Sequence, residues 1–118
     1  MTGTVDSAKN IEKYIVKCYR DLHQIPELHD ELIKTTQYIR NRLDELGIKY
    51  HIYPNTAIRA IIDSGRNGPV LAFRADMDAL PIVEVTGLEF SAKGEFMHAC
   101  GHDGHMATLL GAAKLLSE

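Results

Sequence analysis

Apolar residues recur with a helical period near the start of the chain. Ile11, Tyr14, Ile15, Cys18 and Leu22 fall at i, i+3, i+4, i+7 and i+11, which predicts an amphipathic helix over roughly residues 7 to 23 that Pro26 closes off. Leu32, Thr36, Ile39, Leu43 and Leu46 repeat the period, and Gly47 supplies a left-handed stop. The period then changes to two. Ile48, Tyr50 and Ile52 alternate with Lys49, His51 and Tyr53, and Ile58, Ala60 and Ile62 alternate with Arg59 and Ile61, giving two strands split by Pro54-Asn55-Thr56. Pro69-Val70-Leu71-Ala72-Phe73 is apolar throughout and follows the turn Ser64 to Gly68, the pattern of a strand buried on both faces. Irregular pieces run from Leu80 to Phe96. A last helix, from about Gly104 to Leu116, carries Met106, Leu109, Leu110 and Ala113 inward. The predicted order is ααβββ-loop-α, an α/β fold whose sheet is flanked by helices.

Composition narrows the field without choosing a function. At 118 residues and 45% hydrophobic content the chain has the size of one domain, 1–118, with no repeat or linker to divide it. Thirteen basic and 16 acidic residues are mixed along it for a net charge of −3, so there is no basic stripe for nucleic acid and no polybasic patch for a membrane. No run approaches the roughly 18 apolar residues of a membrane span. Met1 to Asp6 lacks the charged start and apolar stretch of a signal peptide, which makes the cytoplasm the expected location. Two cysteines, at 18 and 100, do not form a disulfide framework, and Cys18 sits on an apolar helical stripe as a core residue.

The chemistry is concentrated in His98-Ala99-Cys100-Gly101-His102-Asp103-Gly104-His105, where three histidines, a cysteine and an aspartate share eight residues. Thiolate and imidazole are preferred ligands of zinc and related metals, and the two glycines allow tight turns that let side chains converge. Cys100 and His102 are the candidate pair, because residues i and i+2 of an extended segment face the same way. The competing reading is a buried thiol flanked by surface histidines. His98 and His105 can reach an ion's surroundings without ligating it. His29 and His51 read as surface or strand-face residues, and His23, before a proline turn, as the maker of a structural hydrogen bond.

A second polar cluster, Arg74-Ala75-Asp76-Met77-Asp78, sits at the downstream end of the apolar Val70 strand. Ligands in open α/β sheets gather beyond the carboxyl ends of strands, so the two aspartates are placed to serve a metal or a metal-bound histidine. Alternatively Asp76 caps a turn and Asp78 pairs with Arg74.

Arg74 to Ile82 (RADMDALPI) followed by His98 to Thr108 (HACGHDGHMAT) resembles the paired signature of the M20 metallopeptidase clan, in its amidohydrolase branch of N-acyl-amino-acid, hippurate and auxin-conjugate hydrolases. His23-Gln-Ile-Pro-Glu-Leu28, with Glu31, Thr35, Ile39, Leu43 and Gly47, resembles the two-helix opening of the same branch. The likeness covers roughly residues 10 to 117. It implies the N-terminal part of a zinc-peptidase-like catalytic domain, with the lid or dimerisation domain and the rest of the catalytic domain outside this chain.

The resemblance also implies roles. Cys100 and His102 would be metal ligands and Asp78 the carboxylate that orients the site, with Asp76, His98 and His105 around the ions. A histidine ligand commonly stands at the place of Asp76 in the wider clan, a departure that fits the amidohydrolase branch and argues against a dipeptidase-like member. The implied cofactor is a divalent metal, two ions per complete site, Zn2+ or Mn2+ with Co2+ or Ni2+ also suited. The implied reaction is hydrolysis of the amide of a small N-acyl amino acid by a homo-oligomeric enzyme. The further ligands and the catalytic glutamate are expected beyond position 118, so the chain alone is expected to be inactive.

Two other classes of function fit the residues. One is a non-enzymatic metal-binding or interaction fragment that pairs through an open sheet edge. The other is a thiol hydrolase with Cys100 as nucleophile and a nearby histidine as base.

Overall fold

Two helices crossing at a glycine organise the molecule. A computed structural model describes residues 3–118, so the part of the signal-peptide reading that rests on Met1 and Thr2 lies outside the described residues. The elements are α1 (Thr4–Asn10), α2 (Glu12–His23), α3 (Ile33–Glu45), β1 (Lys49–Ile52), β2 (Ile58–Ile61) and α4 (His102–Leu116). The single first helix expected from the periodicity is broken at Ile11, whose φ of −110° and ψ of 15° close α1 before α2 begins. Ile11 is buried, and its side chain is one of those that approach Gly111 of α4. A Cβ on Gly111 would lie 2.7 Å from Cγ1 of Ile15, so only glycine lets α2 and α4 come this close.

The core forms between α2, α3 and α4. Cys18 and Leu22 from α2 meet Ile39 and Leu43 from α3 and Met106 and Leu110 from α4, with Ile48 alongside. Of the residues expected inward on the last helix, Met106 and Leu110 are buried, while Leu109 and Ala113 are only partly so. α3 starts where the Glu27 carboxylate accepts hydrogen bonds from the backbone N–H of Lys34 (3.0 Å) and Thr35 (2.6 Å). An anion there satisfies donors that the first helical turn leaves free. The helix ends in a Schellman arrangement: Gly47, at φ +70°, donates to Asp44 O, and Ile48 N donates to Leu43 O. That stop turns the chain directly into β1.

β1 and β2 pair antiparallel, Lys49 opposite Ile61 and Ile52 opposite Ile58. The chain is therefore α/β, with one strand fewer than the periodicity predicts. Residues 69–73 carry no strand, and Val70, Leu71 and Phe73 are 96%, 75% and 62% exposed. The reason is physical: a strand exists through hydrogen bonds to a neighbour, and among the described residues no neighbour lies beside this segment. The radius of gyration, 15.1 Å, exceeds the roughly 13.5 Å of a close-packed domain of this length. Among the described residues, no helix is long and apolar enough to cross a membrane.

Candidate metal centre

Two backbone ties bring the aspartate segment to the histidine-rich octet. Leu80 N donates to Met97 O (2.9 Å) and Met97 N to Leu80 O (3.0 Å), an isolated antiparallel bridge that sets the chain just after Asp78 beside the chain just before His98. Ala79 N donates to Glu27 O (2.8 Å), fastening the same segment to the loop that caps α3.

Within this frame Asp78 meets His102. His102 Nδ1 lies 2.8 Å from the Asp78 carbonyl oxygen and 3.1 Å from Asp78 Oδ1. A carbonyl oxygen can only accept, so Nδ1 carries a proton and donates, and Nε2 is the ring nitrogen that this contact leaves to act as a ligand. This is the arrangement that suits an imidazole ligand.

Gly101 separates Cys100 from His102 at φ +88°, and His102 is the first residue of α4. The pair therefore sits on a left-handed turn into a helix, not on the extended segment the spacing suggested. Cys100 is exposed, whereas Cys18 is buried in the core and burial raises its thiol pKa. Asp76 pairs with Arg74 at 2.7 Å in a solvent-exposed contact, so the expected alternative partners are exchanged: Arg74 takes Asp76 and leaves Asp78 to His102. The His105 ring is 5.9 Å from that of His102. His98 is 4% exposed with no protein partner on either ring nitrogen, and burial pushes its pKa below the usual imidazole value. Among the described residues, no three His, Cys, Asp or Glu side chains gather into a set that could hold an ion. The donor chemistry of Cys100 and His102 suits a metal, as two ligands of a larger set.

Behind this turn lies a buried bridge. His23 Nδ1 is 2.7 Å from Asp103 Oδ2, and His23 Nε2 is 2.8 Å from Glu84 Oε1 and 3.0 Å from Oε2. The three side chains are 4% or less exposed. Burial pulls the His23 pKa down, but the hydrogen bonds and charges of Glu84 and Asp103 outweigh it, so the net shift is upward. Burial pushes Glu84 up, yet hydrogen bonds from Thr86, His23 and the Ala92 backbone hold it at about 2. The two acidic side chains thus favour the protonated form of His23 more than water does.

Residues 72–118 match the model of Peptidase family M20/M25/M40. The N-acetyl-L-cysteine deacetylase of Bacillus subtilis is 49% identical over 112 residues, which cover 92% of this chain and 26% of that protein. The IAA-amino acid hydrolase ILR1-like 2 of Arabidopsis thaliana is 47% identical, over 99% of this chain and 27% of that protein. The YXEP protein of Bacillus subtilis, a dinuclear metal-binding peptidase of the M20 family, superposes with a TM-score of 0.86 at 44% identity, covering 92% of this chain and 31% of that one. The chain belongs to the M20 peptidase family. This M20 chain spans about a quarter of the length of the curated relatives it matches.

The matched M20 segment holds Asp78, Cys100, His102, Asp103 and the whole of α4. Sequence reasoning singled out neither Glu84 nor the pairing of Asp103 with His23. These residues lie 61 and 80 positions from His23, and no local periodicity signals such distances. The one available signal was an acidic residue inside an apolar run, Glu84 within Ile82-Val83-Glu84-Val85.

Proposed function

We propose that this chain forms part of an M20 enzyme that hydrolyses the amide bond of small N-acyl amino acids, with Cys100 and His102 as metal ligands. The observation that carries the reading is the double hydrogen bond from His102 Nδ1 to Asp78, which leaves Nε2 for a metal. Relatives at 49% and 47% identity, named as a deacetylase of N-acetyl-L-cysteine and an IAA-amino acid hydrolase, support the substrate class. The dinuclear metal-binding neighbour supports two divalent ions, for which zinc, manganese, cobalt and nickel all suit the donors. We place this action on small molecules in the cytoplasm.

A bound divalent ion supplies Lewis acidity towards water and towards an amide carbonyl. The chain's own residues supply the setting. Asp78 holds the His102 ring in one orientation and tautomer, and Gly101 makes the turn that carries Cys100 to the mouth of α4. Among the described residues no carboxylate is placed as a proton shuttle, so we assign that role, and the remaining ligands, to other parts of the enzyme.

A hybrid tests the proposal. Residues 4–118 replace the matching segment of the Bacillus subtilis deacetylase, and the product is assayed on a panel of N-acyl amino acids with and without chelator. Chelator-sensitive hydrolysis that Cys100→Ala abolishes is the expected result. A folded, metal-loaded hybrid without turnover refutes it, and activity that resists chelator but not alkylation makes Cys100 a nucleophile instead.

A further inference from the structure

We propose that His23, held between Asp103 and Glu84, is a positioning residue for the Cys100–His102 turn, so that a buried bridge behind the ligands sets their readiness to bind metal. The inference rests on the metal reading above. Asp103 directly follows His102 and opens α4 with it, and both its oxygens are engaged: Oδ2 with His23 (2.7 Å) and Oδ1 with the N–H of Gly104 (2.9 Å). α4 has no side-chain cap, and the glycine at its N-cap has no side chain with which to anchor the turn. The grip of His23 on Asp103 is thus what fixes the first turn of α4 against the end of α2.

Glu84 completes the clamp. Its Oε1 also accepts from Ala92 N (2.7 Å), and its Oε2 accepts from the Thr86 hydroxyl, so the loop of residues 84–92 is wrapped around one enclosed carboxylate. The Leu80–Met97 bridge closes the same loop from its other end. Two carboxylates and one imidazole buried together are a poor way to stabilise a fold, since well-packed apolar side chains of similar volume serve as well or better. What hydrogen-bonded charges provide and apolar contacts lack is direction. Here the direction is imposed on the residue next to a ligand, at the only end of α4 where a ligand stands.

Cobalt titration of the 118-residue chain tests this, followed through the thiolate-to-cobalt charge-transfer band with circular dichroism as a check on folding. Both His23→Gln and Glu84→Gln are expected to raise the Kd by about tenfold or more and to alter the band, at a temperature where the chains remain folded. A folded His23→Gln chain with unchanged Kd and band overturns the proposal. Should His23→Gln fail to fold, Glu84→Gln decides by the same readings. A measurement on the unsubstituted chain needs neither variant. Coupling is reciprocal, so zinc must slow hydrogen exchange at the Ala92 amide more than at Ile39 in α3, and equal slowing overturns the proposal. If the unsubstituted chain shows no thiolate band, or Cys100→Ala retains it, the metal reading fails and takes this inference with it. A band lost in Cys100→Ala but untouched in the His23 and Glu84 variants overturns the positioning role alone.

Discussion

Leu80 and Met97 exchange two backbone hydrogen bonds across 17 positions, at 2.9 and 3.0 Å, and that closure sets the Asp78 segment beside the histidine-rich octet. It delivers Asp78 from one side and the octet from the other, and the His102 ring is where they meet.

Asp78→Ala is expected to weaken metal binding at the low end of the roughly 10- to 100-fold range for losing a partner that orients a ligand. The loss is limited because the Asp78 backbone carbonyl, 2.8 Å from His102 Nδ1, survives the substitution. Isothermal titration with zinc at fixed pH measures it. An unchanged affinity would mean that the carbonyl alone orients the ring.

Stability is expected to peak between mildly acidic and neutral pH. Glu84 is held at about 2 against an ordinary 4.5, so its contribution is complete above the ordinary value and is lost as pH falls from there towards 2. His23 has a raised pKa, so its contribution is complete below the ordinary 6.5 and is lost as pH rises through the folded value. Thermal melts across pH should show both limbs, with Glu84→Gln flattening the acid one. That variant should also cost about 3–5 kcal/mol near neutrality, the usual result of removing one partner from a buried charged pair.

Gly111→Ala is expected to destabilise the chain by about 1–3 kcal/mol, although alanine favours a helix by about 1 kcal/mol over glycine. The new Cβ would stand 2.7 Å from Ile15 Cγ1, a branch atom near the backbone rather than a mobile tip. Urea denaturation of Gly111→Ala beside Gly111→Ala/Ile15→Ala measures both effects. Recovery in the double variant would confirm the clash, and a stabilised single variant would show that α2 and α4 separate freely.

Val70, Leu71 and Phe73 are exposed in an apolar segment that carries no strand, which predicts concentration-dependent self-association. Sedimentation velocity over a range of concentrations should show it, and replacing Val70 and Leu71 by lysine should suppress it. A chain that stays monomeric throughout would mean that exposed residues 69–73 are no template for pairing.

The sequence by itself determined the local elements and the kind of chemistry. Helical periodicity located α3 and α4 to within a few residues and the end of α2, though not the break at Ile11, alternation located β1 and β2, and the thiol-imidazole octet with the Asp-x-Asp named the candidate donors, because each of these signals is carried by neighbours along the chain. Tertiary structure decided the rest. Whether Val70 to Phe73 is a strand depends on a partner, and an apolar run contains no information about whether one is present. That Asp78 rather than Asp76 reaches His102, and that Arg74 takes Asp76, follows from the Leu80–Met97 closure, since spacing alone allows either aspartate. His23, Glu84 and Asp103 became one buried unit only when α2, the loop after Asp78 and α4 packed together. Their polar atoms are tolerated there because each finds its partner across 61 or 80 residues of chain, a separation at which only the folded core, and no periodicity, determines who meets whom.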